Sequence, residues 1–313
     1  MNFFKYDFIS FLNFLKFFNI MKDNLRYSDV DDFRIRRFLS SKENIEILED
    51  MIEKESDRLI RLRKSKFDSR SLPGDEFSEI KDYITVNVNK ILDINNEDTY
   101  CEWEYLTKWQ LFVRDQLRKI AAIRRDVVSY LAGFDNSNLC IFDYFIPYGE
   151  YNQNTKKITI TTGPRAKMIP CLAHEYTHHT QNIVIGYFLN ISSYEDGQAR
   201  IVERNIAADF REKEDNESFL YQMTKCTLAE LRSTYHWICD HFNVKPKKAK
   251  IKTLRDRIEN AYRKTDIYGY PSPHSSGNSF FRILEAKDKK IFLNVLQGKD
   301  FNYKNGGTET FKS

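Results

Sequence analysis

The sequence predicts an α+β fold, mostly helical, with one small sheet. Three observations carry that reading: long amphipathic stretches before about residue 135, a change of character near Asn138, and helical patterning again from about Pro164 onward. The chain has 313 residues, 41% of them hydrophobic and 30% charged, enough apolar side chain for a large core and too much for a disordered chain. We divide it into a helical N-terminal region, 1–135, that covers a cleft or selects a substrate, and a second domain, 136–313.

The first elements are helical by spacing. Phe4, Phe8, Phe11, Leu15 and Phe18 recur at helical intervals, describing one apolar face. Lys5, Asp7 and Lys16 interrupt that stretch, so it does not read as a membrane span or a cleaved leader. Glu43–Lys66 places charge between Ile45, Ile47, Leu48 and Ile52, an amphipathic helix that ends before Pro73–Gly74. Glu104–Gly133 reads as one long helix stopped by glycine. Beyond it, β-branched and aromatic runs flank "NQNTKK", which predicts a hairpin ending at Lys157–Thr162. Helices are then expected around the "LAHEYTHHTQ" stretch and near 193–214, 216–242, 247–265 and 278–298. "YGYPSPHSSGN" (Tyr268–Asn278) reads as a linker.

Charge and cysteine narrow the function. Forty-nine basic against 45 acidic residues give a net charge of +4, so no nucleic-acid partner is expected. The basic run Asn243–Lys264 reads as a solvated helix face, because it offers only Tyr262 as an aromatic platform. Five cysteines with no CxxC pair fit a reducing compartment, and a cytoplasmic location is expected. No phosphate-binding loop, dinucleotide glycine pattern or nucleophile elbow is present.

The chemistry concentrates in His174-Glu175-x-x-His178. Residues four apart share a helix face, so two imidazoles can grip one ion while Glu175 projects beside them. A chain of this composition produces the pattern by chance roughly once in a hundred. Ile169, Leu172 and Ala173 before it and Ile183–Ile185 after it predict a buried helix, where polar groups need partners or a metal. Zinc suits such ligands and leaves room for water in catalytic sites. His179 points about 100° away from His178 and reads as a packed residue. Cys171 reads as core, with zinc ligation as the alternative.

On these residues the chain resembles the zincin metallopeptidases, and more narrowly the gluzincin branch. The resemblance spans roughly Phe142–Leu284. It implies a zincin-like core with an active-site helix, a Zn2+ cofactor held by His174 and His178, and Glu175 assisting attack of a zinc-bound water on a peptide or protein substrate. In that family the strand before the motif is an edge strand that pairs with substrate, a place taken here by Lys157–Thr162. The helix after the motif supplies an acidic third ligand. "SSYEDGQARIVER" is similar to it, with Asp-Gly where Glu-Gly is usual, leaving Asp196, Glu195 and Glu203 as candidates. Ser192 with Glu195 and Ser193 with Asp196 are also capping boxes, so those acids have a second use. "PHSSGNSFF" is similar to a later family segment whose tyrosine steadies the oxyanion. His274 stands in that position, with Tyr268, Tyr270 and Tyr303 as alternatives.

The expected function is therefore a narrow-specificity processing or effector metallopeptidase. The alternatives are a catalytically inactive binding or regulatory scaffold, and a metal-dependent hydrolase of a non-peptide amide or ester. The oligomeric state does not follow from the sequence.

Overall fold

A computed structural model of the chain describes residues 27–62, 72, 74–94, 100–106, 149–161, 164–185, 192–214, 217–251 and 271–299. Eight helices and a three-stranded sheet lie within them. We number these α1 (Tyr27–Leu39), α2 (Glu43–Leu62), α3 (Gly74–Leu92), β1 (Glu102–Leu106), β2 (Gly149–Asn152), β3 (Lys157–Thr161), α4 (Arg165–Ile185), α5 (Ser193–Glu214), α6 (Glu217–His241), α7 (Pro273–Lys287) and α8 (Lys289–Leu296). The mostly helical α+β reading holds. No described helix is long and apolar enough to cross a membrane. The apolar stretch 1–24, most of the 247–265 segment, the boundary at 135 and residues 107–133 of the expected long helix lie outside the described residues.

The sheet corrects two expectations. Residues 104–106 belong to β1, not to a helix, because Trp103 and Tyr105 are strand formers on alternate positions and β3 offers them a ladder. β1 pairs with β3 in parallel, Trp103 opposite Ile158, while β2 pairs with β3 antiparallel, Tyr151 opposite Ile158. The order β1-β3-β2 makes β3 the central strand, so its backbone groups are engaged on both sides and Lys157–Thr161 is not a substrate-docking edge. Local spacing cannot express this, since the second partner arrives from some 50 residues upstream. Among the described residues, the sheet edge beside the histidine helix that pairs with no further strand belongs to β2.

Ile158 and Ile160 are fully buried under α4, and each stabilises the layer by roughly 1.5–3 kcal/mol of apolar burial. They join Leu172, Ala173, Tyr176, Val202 and Ile206 in one core; Trp103 stacks on Tyr176 at 5.5 Å. A second core gathers Ile35, Leu48, Tyr194, Ile201, Leu231, Phe280 and Phe281 from α1, α2, α5, α6 and α7. Helix α5 serves both: Ile201 faces one core and its neighbour Val202 the other. Polar residues on a third face of α5 are left to meet α4.

The expected 278–298 helix is two, α7 and α8, broken at Asp288, whose carboxylate oxygen accepts from the amides of Lys290 and Ile291. Helix α7 begins at Pro273, inside the stretch that reads as a linker. Ser272 is its N-cap, accepting from the Ser275 amide, and proline follows at the first helical position. That pair is a helix-start signature worth about 1 kcal/mol, built from the same residue types that make turns.

Candidate metal centre

Helix α4 brings His174 and His178 to one face. Their Nε2 atoms are 3.1 Å apart, and the rings meet edge to face. Both side chains are buried, at 6% and 2% exposure. Helix α5 crosses in front of them and presents Asp196, whose Oδ1 is 3.8 Å from His174 Nε2 and 3.6 Å from His178 Nε2. A point equidistant from three atoms with these separations lies about 2.0 Å from each, the length of a zinc–nitrogen bond.

The other faces of both imidazoles are held. His178 Nδ1 lies 2.7 Å from Gln181 Oε1, so its N–H donates there and leaves a lone pair on Nε2. Gln181 is fixed in turn by donating to the Glu195 carbonyl and to Gln198 Oε1. His174 Nδ1 faces Glu203 Oε2 at 3.3 Å. Glu203 pairs with Arg200, which also reaches Glu230, and Glu230 accepts from Asn278 of α7. Carboxylate and amide partners behind the ring nitrogens set the tautomer and aim of metal-binding histidines.

The acids divide by geometry. Asp196, Arg200 and Glu203 fall at i, i+4 and i+7 on α5 and share the face toward α4. Glu195 Oε2 accepts from the Ser192 amide at 2.9 Å, and Ser192 Oγ accepts from the Tyr194 amide, so this carboxylate closes a capping box. The structure thus sets Asp196 toward both imidazoles, Glu203 behind one of them, and Glu195 at the helix start. His274, in the first turn of α7, lies with Nδ1 2.9 Å from Asp196 Oδ1 and its ring 5.5 Å from that of His174. Tyr268, Tyr270 and Tyr303 lie outside the described residues.

Two features fit a cation. Asp196 Oδ1 and His274 Nδ1 are buried atoms without an aligned hydrogen-bond partner, despite their closeness. Asp196 is the other: a buried acid that faces three imidazoles, while Arg200 is engaged by Glu203 and Glu230. The donors, two imidazoles and a carboxylate, are those zinc accepts.

Glu175 is buried against β2. A Cβ added at Gly149 would stand 2.7 Å from Glu175 Cγ, 2.8 Å from its Oε1 and 2.6 Å from Cys171 Sγ, so only glycine lets the strand come this close. Tyr151 ties the same strand to α4, donating from its hydroxyl to Asn182 Oδ1 and lying 3.2 Å from His179 Nδ1. Sequence patterning does not single out Gly149, Gln181, Arg200, Glu230 or Asn278. Of these, Gln181 alone carries a local signal, being three residues from His178 on the same face.

Electrostatics separate the carboxylates. Burial pushes the Glu175 and Glu195 carboxyls up to about 7. Burial would raise Glu203 and Asp196 too, but Arg200 holds Glu203 at about 2, while His274 and His178 hold Asp196 well below the ordinary range. Burial drives His174 down to about 3 and His179 to about 4. In the metal-free protein, lowered histidines lose stability as pH falls from about 6.5, while raised Glu175 and Glu195 gain it as pH falls from about 7 to 4.5. These offset one another. Below about 4.5 the depressed acids and histidines act together, so melts of chelator-treated protein should hold nearly level from pH 7 to 4.5 and then drop steeply. Glu203→Gln should flatten the lower limb by on the order of 2–3 kcal/mol. An equally steep limb in the variant would show that Glu203 is not held ionised.

Against protein-family models, curated proteins and solved structures, the chain finds no match.

Proposed function

We propose that the chain is a zinc-dependent metallopeptidase, with His174, His178 and Asp196 as the ligands and Glu175 as the general base. The observation that carries this reading is the closeness of His174 Nε2, His178 Nε2 and Asp196 Oδ1, all within 3.8 Å of one another, with Glu175 on the same helix beside β2. A zinc ion there supplies Lewis acidity, lowering the pKa of water and polarising a carbonyl.

The rest is the protein's own. Glu175 Oε1 lies at Gly149, where an extended peptide adding to the outer edge of β2, which no described strand occupies, would present its backbone. A carboxyl pushed up to about 7 is matched to proton transfer near neutrality: it takes the proton of the attacking water and returns it to the leaving amine. Gln181 and Glu203 keep the two imidazoles aimed. Burial of the acids and histidines keeps bulk water from screening these interactions. Hydrolysis of another amide or an ester would use the same groups. The outer edge of β2, unpaired among the described residues, is what favours a peptide.

The test is metal content, measured in purified protein with and without zinc reconstitution. Wild type should hold near one equivalent per chain, and His174→Ala and Asp196→Ala well below a tenth of that. A wild type that stays empty after reconstitution overturns the reading. A filled site then warrants a search of peptide libraries for cleavage.

A further inference from the structure

A cleft of about 510 Å³ opens between α2, α6 and the extended segment 244–251, and no residue of the metal centre lines it. That volume is ordinary for a small-ligand pocket. Its walls are segregated by charge. Helix α2 turns Glu46, Glu49, Asp50 and Glu53 toward it at helical spacing. The extended segment brings Lys247, Lys248 and Lys250. Arg232 and Tyr235 of α6, both buried, stand between the two.

The frame of the cleft is held by internal pairs. Tyr235 donates to Glu49 Oε1 at 2.8 Å and accepts from the Lys247 amide at 2.9 Å, so one hydroxyl joins all three elements. Lys247 pairs with Glu49, Lys250 with Glu53 and Asp57, and the Arg232 guanidinium donates to the Ile251 carbonyl. Two charged side chains on the walls are left out of this frame. Among the described residues, those of Glu46 and Lys248 make no ion pair or hydrogen bond, and Glu46 acts on Lys247 only through the longer-range field. Lys248 is nonetheless held in place, because the segment is anchored on both sides of it.

A cleft of this kind selects by charge pattern. An anion would face the α2 carboxylates, a polyamine would face the lysines, and an apolar molecule would strip water from both. A dipolar molecule satisfies the two walls together. We propose that the cleft binds a short peptide with free termini, its ammonium toward Glu46 and its carboxylate toward Lys248. The charges lie on opposite walls, which suits a ligand that carries them at its two ends; a free amino acid carries both on one carbon. The preformed frame keeps the ordering cost of binding low. The site goes beyond the metallopeptidase reading and shares no residue with it.

The experiment titrates full-length protein with trialanine by calorimetry in a chelating buffer, so that no hydrolysis enters the measurement. One saturable site is expected, with Kd on the order of 1 mM or tighter. N-acetyl-trialanine amide, which lacks both charges, should bind about ten-fold more weakly, and spermidine and succinate no better than that. Glu46→Gln and Lys248→Gln should each weaken trialanine about three- to five-fold, the reach of a solvent-exposed pair. Lys245→Gln, an exposed lysine that does not line the cleft, should leave Kd unchanged, with circular dichroism confirming that every variant is folded. No saturable binding, equal binding of the blocked peptide, or an equal loss in Lys245→Gln overturns the proposal. Spermidine binding more tightly than trialanine assigns the cleft to cations and overturns it as well. None of these outcomes bears on metal content, so the proposed function is tested separately.

Discussion

Glu175→Gln should keep its metal and lose its chemistry. Glutamine has the shape of the protonated acid, so packing against Gly149 and Cys171 is retained, and none of the three proposed ligand atoms is touched. Metal content should stay near one equivalent per chain. Peptide hydrolysis, once a cleaved sequence is found, should fall by about 10²–10⁴-fold, the usual contribution of a positioned general base. The same variant has a second readout that needs no substrate. A buried carboxyl raised to about 7 costs stability as pH climbs from about 4.5, where the unfolded chain ionises, to 7, where the folded one does. Metal-free Glu175→Gln should therefore be more stable than wild type at pH 8, by on the order of 1–3 kcal/mol, and no more stable at pH 4.5. If activity survives within ten-fold, Glu175 is not the base. If the variant gains nothing at pH 8, its carboxyl is not desolvated as the structure implies.

Some parts of this centre are legible in the amino-acid sequence because local spacing expresses them. His174 and His178 are one helical turn apart, and the Ser192–Glu195 capping box marks where α5 begins. Those relations depend only on the pitch of one helix. Spacing does not express what a distant partner sets. Glu195 and Asp196 are adjacent in sequence, and both fit the ligand position. Only the crossing of α5 over α4 turns one to the imidazoles and the other to its own helix end. The strand order escapes for the same reason, because β1 reaches β3 across about 50 residues and takes the edge that Lys157–Thr161 would otherwise keep. His274 reads as part of a linker because Pro, Ser and Gly cluster around it. In the structure those residues begin a helix, and the glycine serves packing.

That glycine sets up the other large effect. Gly277→Ala should cost about 3 kcal/mol of stability and weaken metal binding at least ten-fold, because it forces α7 off α5. A Cβ at 277 would stand 1.9 Å from the Ser193 carbonyl oxygen and 2.6–2.7 Å from the backbone of Gly197, while one at 197 would meet the backbone of Gly277 at 2.5–2.7 Å. Neither obstacle is a side-chain end that can swing aside, so the helices themselves must separate. Asp196 is next to Gly197, and His274 is one turn before Gly277, so the contact that brings the helices together also brings these two donors to 2.9 Å. Gly298→Ala is the control. Its φ of +71° makes alanine strained, but open space surrounds the position. It should cost about 1 kcal/mol and leave metal binding unchanged. Denaturant midpoints of the metal-free proteins and zinc competition with a chelator give the two quantities separately. A Gly277→Ala protein with wild-type stability and affinity would mean that α5 and α7 do not approach this closely. The placement of His274 against Asp196 would then fall with that contact.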